Sequence, residues 1–454
     1  MAKELQEKEL VSKEHEQAVL TATSPIDALA EYGGFSFLEN IIDGFSNLNP
    51  KKKARRAIFL GDEQWGADRK ELSNRLNIWI DLLKSGKDPE GMRDIAKEHS
   101  VKADETLNAN LKEALKATEE LERSYRSVAH FYKNTESDKV KNVTILNASL
   151  DQVKDLDNTL FIDYVAKELK QNFDKLDLRE NYGILNIPGY LGSNAVLDKW
   201  SKIAYENKAI LVTDFSDQES PDDVIADFFR ANHTSGDSFK SNTIMPCNWL
   251  LGRKKNSVVG EEEDLFVPPS SALAGKIYST QMSQVVAGKK FGGINEVESV
   301  RFGLMKSEIS ELEKMGLVPM VNEYSKVMAF SAKTLFNGDN LGLQTYSVVR
   351  VFDHITKVLF DFLNRKAFEN WTVRTEADLR SQIVKFLDGI QGPKSLIEKF
   401  KIMKIEQDPN QKDRVLIDIH ITPYFPAKSF LIQLDGHKGD GPEKSVWQSA
   451  YKQE

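Results

Sequence analysis

Cysteine is almost missing: Cys247 is the single one in 454 residues. That excludes an intramolecular disulfide and a cysteine-rich zinc site, and it fits a reducing compartment. Long apolar runs are missing too, since no stretch reaches the ~18 consecutive apolar residues of a membrane-spanning helix. There is no excess of positive charge: Lys and Arg total 61 against 69 Asp and Glu, a formal net charge of −8. A field of that sign does not draw a chain to a phosphate backbone. Histidines number seven and are scattered, with no pair at metal-ligand spacing. The opening run Met1–Gln17 is charged throughout and lacks the apolar stretch of a signal peptide, so a cytoplasmic protein is expected.

What is present is apolar periodicity that changes type along the chain. Residues 1–34 read as a flexible arm, in which Ala18–Thr23 is a short strand-capable segment with no neighbour to pair with. Residues 35–135 read as helical. Leu72, Leu76, Trp79 and Leu83 recur on one face before Gly86, and Asp104–Tyr132 repeats the pattern with Leu107, Leu111, Leu115, Leu121, Tyr125 and Val128.

Residues 136–345 read as a partly parallel α/β domain. Strands are expected at Val143–Leu146, Gly183–Ile187 and Ala209–Thr213, with a helix at Asn194–Glu206. Ser220-Pro221-Asp222-Asp223 has a cap, an N1 proline and acids at the positive dipole end, which predicts a second helix start. Residues 346–454 read as an α+β domain. Helices are predicted over Tyr346–Arg365 and over Thr375–Ile390, the latter capped by Thr375. Antiparallel strands are expected through Val415, Ile417, Ile419 and Ile421 and through Phe430–Leu434. The fold class is therefore α/β and α+β multidomain.

Motifs for chemistry fail on inspection. Gly61–Gly66 has P-loop glycine spacing, but Ala67-Asp68 stands where Lys-Ser/Thr is required, and an acid there repels phosphate. Gly288–Gly293 carries Lys289 and Lys290 and reads as a basic turn. Asp214, Asp217, Glu219, Asp222 and Asp223 crowd the end of a predicted strand and read as a solvated acidic turn, with a hard-cation site as the alternative. Cys247 lies among apolar residues and reads as a small buried hydrophobe. Asp353-His354 reads as a helix-surface pair. No Gly-x-Ser-x-Gly elbow occurs. Catalysis is not expected, nor is a metal or cofactor.

Several segments, taken in order, resemble contractile-tail sheath proteins. They are Val267–Tyr278 (VPPSSALAGKIY), Gly316–Val321, Ala329–Leu335 (AFSAKTL), Val348–Ile355, Glu369-Asn370-Trp371 and the helix through Leu379, Arg380, Ile383, Phe386 and Leu387. Val143–Leu150, Leu160–Val165 and Tyr182–Leu185 narrow the likeness to the large sheath subunit of type VI secretion. Thr243–Gly260 departs from that family's longer tryptophan-rich segment, and residues 35–133 are not aligned with it.

The resemblance implies a structural subunit that pairs with a small sheath subunit of the TssB/VipA type and polymerises around an inner tube of Hcp-like protein. It also implies a baseplate, and recycling by a ClpV-like AAA+ unfoldase gripping the small subunit. In that setting Arg350, Lys357, Arg374, Glu376, Arg380 and Lys385 are expected to project toward the tube. The region 35–135 is expected to meet the small subunit. Val19, Leu20 and Thr21 are expected to add as a strand to the sheet carrying Val415, Ile417, Ile419 and Ile421 in a neighbour. The alternatives are a phage or pyocin-like tail sheath and a flavodoxin-like metal-dependent enzyme.

Overall fold

The computed structural model describes residues 59–85, 88–135, 140, 143–177, 181–436 and 447–452. The chain divides into two compact units, one reaching Ala117 and including Asn256–Glu261, the other comprising Thr118–Lys255 and Glu262 onward. Val19, Leu20 and Thr21 lie outside the described residues.

The first unit is helical. Asp62 accepts from the Gln64 amide at 3.1 Å and starts a 3-10 turn, Glu63–Trp65. Helix α1 (Gly66–Ser85) follows, and then α2 (Pro89–Asn134), a single helix of 46 residues that enters the second unit at Thr118. Pro89 has no amide to satisfy at the first position, and Asp88 accepts from the Gly91 amide at 2.7 Å. Leu82 and Ala96 are buried, with Trp79, Met92 and Ile95 packed on them. The inward face of α1 differs from the expected one: Leu72 and Leu82 are buried, whereas Leu76 and Leu83 are exposed. On α2, Leu107, Leu111, Leu121, Tyr125 and Val128 lie on the surface rather than in a core.

The second unit is built on a five-stranded sheet. Two short helices come first, α3 (Leu150–Lys154) and α4 (Leu160–Phe173). The βα alternation then runs β1 (Ile184–Tyr190), α5 (Asn194–Glu206), β2 (Ile210–Asp214), α6 (Pro221–Ala231) and β3 (Thr243–Cys247). Ser193 and Ser220 cap α5 and α6 through their side chains. A small antiparallel pair, β4 (Leu250–Arg253) with β5 (Leu265–Val267), precedes α7 (Ser270–Ser279), α8 (Gly288–Phe291) and α9 (Lys306–Lys314). Strand β6 (Leu317–Glu323) turns back as β7 (Lys326–Ala329) through Tyr324 and Ser325, at φ 54° and 59°. Two positive φ values suit the twist of a two-residue hairpin.

Sheet order is β1-β2-β3-β6-β7, parallel as far as β6 and antiparallel at β7. Alternation along the strands feeds two cores. Leu211, Met245 and Leu317 join the helices α4, α5 and α6 on one face, while Ile210, Val212, Ile244 and Val318 meet α7 on the other. The segment 143–149, expected to begin as a strand at Val143–Leu146, carries no regular structure.

Helix α10 (Tyr346–Lys366) leads out of this domain: Tyr346 and Val349 belong to the sheet core, Val351 and Ile355 to the C-terminal one. That core adds Leu379, Ile383 and Leu387 from α11 (Val373–Ile390), together with β8 (Ile397–Gln407) and β9 (Val415–Pro423). Thr372, not Thr375, caps α11, accepting from the Thr375 amide at 3.1 Å. The strand pairing also differs from expectation. β9 pairs antiparallel with β8, and β10 (Leu431–Gly436) pairs with β11 (Trp447–Lys452) instead of with β9. The architecture is thus a helical N-terminal region, a mixed central sheet and C-terminal antiparallel strand pairs.

Candidate functional site

The Pro-Pro-Ser-Ser stretch meets the end of β2 in a buried polar hub. Pro269 lies ahead of α7, and the free amides of the helix start need acceptors. Asp214 supplies them: its carboxylate accepts from the Ser270 amide at 2.7 Å, the Ser270 hydroxyl at 2.5 Å and the Gly189 amide at 2.8 Å. Ser271 Oγ accepts from Asn186 Nδ2 at 2.9 Å, so α7 is tied to β1 as well as to β2. Desolvation pushes the Asp214 carboxyl up to about 7, against the pull of the Ser270 and Gly189 hydrogen bonds. This residue is not part of a solvated turn, as the sequence reading had it; it holds the central domain together.

The remaining acidic residues disperse. Asp217 pairs with Arg301 at 3.0 Å, and desolvation raises its carboxyl to about 6. Glu219 is exposed at the rim of the same guanidinium, 3.6 Å away. Asp223 and Ser220 bond each other at the start of α6. Among the described residues no group of three or more His, Cys, Asp or Glu is arranged to hold a metal ion.

Cys247 is fully buried and burial pushes its thiol up. Asp353 accepts from Asn242 Nδ2 at 2.7 Å and meets Lys208 at 3.8 Å. Gly288 takes a positive φ of 71° that favours glycine, and Gly292 serves packing: a Cβ on it would lie 2.6 Å from the Ala329 carbonyl oxygen. Asp214, Asp217, Asp223, Cys247 and Asp353 are thus held in caps, ion pairs or packing.

The residues expected at a tube face separate into two groups. Arg350 and Lys357 turn inward and do not project. Arg350 Nη2 donates to the Ile277 carbonyl at 2.9 Å, at the end of α7, and burial lowers its pKa to about 10. Lys357 Nζ donates to the Tyr182 carbonyl at 2.8 Å, and burial lowers it to about 8 against the pull of Asp353. Both sit on a helix whose start is already inside the sheet core, which is why sequence spacing alone misplaced them. Arg374, Arg380 and Lys385 are exposed on α11, and Glu376, half-buried, lies 4.0 Å from Arg380.

Val415, Ile417, Ile419 and Ile421 point into the C-terminal core as half-buried side chains. Their strand belongs to a two-stranded sheet, so its outer edge has no strand beside it among the described residues.

Among the described residues the outer edge of β1 has no strand beside it, apolar side chains of α2 are exposed, and α11 carries exposed charge. The comparisons give the family. Models of the TssC/VipB family match in series: its N-terminal region over residues 22–111, the type VI secretion system TssC/VipB central domain over 113–337 and the C-terminal domain over 345–453. The chain belongs to the TssC/VipB family, the large subunits of the type VI secretion sheath.

Among curated proteins none matches. Among solved structures, the contracted helical sheath of the anti-feeding prophage is 14% identical, with 66% of this chain and 78% of that one covered and a TM-score of 0.45. Its contracted baseplate structure gives 15% identity, coverage of 61% and 75%, and a TM-score of 0.44. A sheath tail protein from Desulfitobacterium hafniense gives 12%, coverage of 64% and 58%, and 0.39.

Proposed function

We propose that this chain pairs with a small sheath subunit, polymerises with it as rings around an inner tube, and contracts to drive that tube outward. The work is mechanical, with energy held in subunit packing rather than in a nucleotide. The observation that carries this reading is the series of three family matches, over residues 22–111, 113–337 and 345–453. A cytoplasmic location, nucleation on a baseplate and recycling by an unfoldase acting on the small subunit belong to the same proposal. No described helix is long and apolar enough to cross a membrane.

Two surfaces are assigned within it. Arg374, Glu376, Arg380 and Lys385 of α11 face the tube, because a tube that must be released calls for a polar contact of modest strength. The N-terminal segment carrying Val19, Leu20 and Thr21 adds as a strand to the β8–β9 sheet of a neighbour, whose outer edge is supported by Val415, Ile417, Ile419 and Ile421 facing the core.

Co-expression with a small sheath protein of the TssB/VipA type should give striated tubes in negative-stain micrographs. Deleting residues 1–24 should leave soluble heterodimer but no long tubes. Monodisperse particles from the intact pair would overturn the assembly reading, and tubes of normal length from the truncated chain would remove the arm from it.

A further inference from the structure

The hairpin at the β7 edge of the central sheet carries a strain that other residues would avoid. A two-residue loop with positive φ at both positions is the place for Asn-Gly, which adopts that backbone at little cost. Here the two positions are Tyr324 and Ser325, at φ 54° and 59°. A bulky aromatic in the left-handed region is uncommon, and such outliers gather where a side chain has to be presented. The Tyr324 ring is presented: it is 68% exposed at the tip between β6 and β7.

Lysines surround this ring. Lys289 Nζ lies 5.1 Å from the centre of the Tyr324 ring, and Lys290 Nζ lies 5.0 Å from that of Phe291. The stem of Lys326 lies over Gly293, where a Cβ would be 2.1 Å from Lys326 Cε. Lys276, half-buried at the end of α7, has its amine pKa lowered by burial and by the charge of Lys326. Lysines elsewhere on this domain find carboxylates, Lys133 on Glu296 at 2.9 Å and Lys428 on Glu313 at 2.8 Å. None of these four does so among the described residues: Glu323 is the register partner of Lys326, yet no ion pair joins them. Ring faces and packing hold a cation in place without neutralising it.

We propose that this hairpin face, Tyr324 with Lys276, Lys289, Lys290 and Lys326, is a contact for the acidic surface of a second copy of this chain. It rests on the polymerisation proposed above. The complementary charge comes from the chain itself, which carries 69 Asp and Glu against 61 Lys and Arg. With four of those cations gathered at one tip, the remaining surface is more acidic still. Exposed lysine–carboxylate contacts set register and partner choice while water and salt keep them exchangeable. The tyrosine adds a rigid amphipathic anchor at their centre. The left-handed turn holds that anchor outward, so the strain is borne by the folded chain and the presented ring serves the contact.

The full-length chain, co-expressed with a small sheath protein of the TssB/VipA type, tests this. Tyr324→Asn with Ser325→Gly relieves the turn, so Tm should rise by about 2 °C or more while the yield of assembled tubes falls at least about tenfold. Lys289→Glu with Lys290→Glu should lose tubes to the same extent with Tm unchanged. In wild-type-like tubes, Tyr324→p-benzoylphenylalanine should cross-link on illumination to a covalent dimer of this chain on denaturing gels. Normal tube yield from the turn variant and the charge variant would overturn the contact, and a Tm that does not rise would remove the strain from which it is argued. A cross-link to the small subunit or to the inner tube, or none at all, would overturn the assignment to a second copy while polymerisation stands. Absence of tubes from the wild-type pair would overturn polymerisation itself, and the contact with it.

Discussion

Asp214 and His233 lie on either side of Tyr190 and titrate with opposite sign. Tyr190 is the register partner of Asp214, and its hydroxyl is 2.9 Å from His233 Nε2. Burial lifts Asp214 to about 7, while burial, helped by Lys240, lowers His233 to about 4. Asp214 therefore contributes most at low pH, and its contribution is lost as pH rises from its ordinary 3.8 through 7. His233 contributes fully above its ordinary 6.5, and its contribution is lost as pH falls toward 4. Between those values the two slopes oppose each other. In Asp214→Asn one of the slopes opposing the histidine is removed, so unfolding free energy should rise more steeply, or fall less, with pH than in the wild type, the difference reaching up to about 1.4 kcal/mol per unit. The variant should also be less stable throughout, because an amide nitrogen would face donors at Gly189 and Ser270. Urea midpoints taken in half-unit pH steps check both, and parallel pH profiles for the two proteins would refute the opposed titration.

Between elements, α7 comes tight against the backbone of α2 at Gly275. A Cβ on Gly275 would lie 2.4 Å from the Phe131 carbonyl oxygen, which the helix backbone cannot yield cheaply. Gly275→Ala should cost about 1–3 kcal/mol and lower Tm by several degrees in calorimetry. Gly389→Ala in α11, where nothing lies within 4 Å, should raise stability by up to about 1 kcal/mol. A loss at both positions would mean that helix geometry, not the α2 contact, governs Gly275.

Elements whose signals are local were legible in the sequence. Asn194–Glu206 follows its apolar period, and the Ser220-Pro221 start of α6 follows its cap chemistry. Signals that depend on partners were not. Strand β8 escaped reading because a register shift between Ile402 and Lys404 breaks its alternation. Val143–Leu146 has strand composition but no partner strand among the described residues. Thr375 looks like a cap, yet its hydroxyl is turned to the Asn370 carbonyl and Thr372 does the capping. Asp214 could be seen as important only once the fold set it against Ser270, 56 residues away. The order of the family segments was legible, but residues 22–111 were recognised only through the comparison.

For the whole molecule, a net charge of −8 sets a weak general repulsion between copies, so an attractive contact with another body has to be local. The tube face proposed for helix α11 would be one. Its buried stripe of Leu379, Ile383 and Leu387 fixes which way it faces, and the opposite side carries Arg374, Arg380 and Lys385 in water. Among the described residues Arg380 meets Glu376 on its own helix, at the 4.0 Å limit of an ion pair, a weak hold on its guanidinium. The cations that are engaged, Arg350 on the α7 terminus and Lys357 on the Tyr182 carbonyl, are those that build the fold. This division separates assembly from stability. Arg380→Glu with Lys385→Glu should change unfolding free energy by no more than about 0.5 kcal/mol, as surface changes do. The heterodimer should remain soluble, yet sheath should no longer form on preassembled tube, and raising the salt concentration should weaken wild-type assembly in the same direction. Sheath of normal length and frequency from the double reversal, at any salt concentration, would show that α11 faces solvent and that the tube is gripped elsewhere.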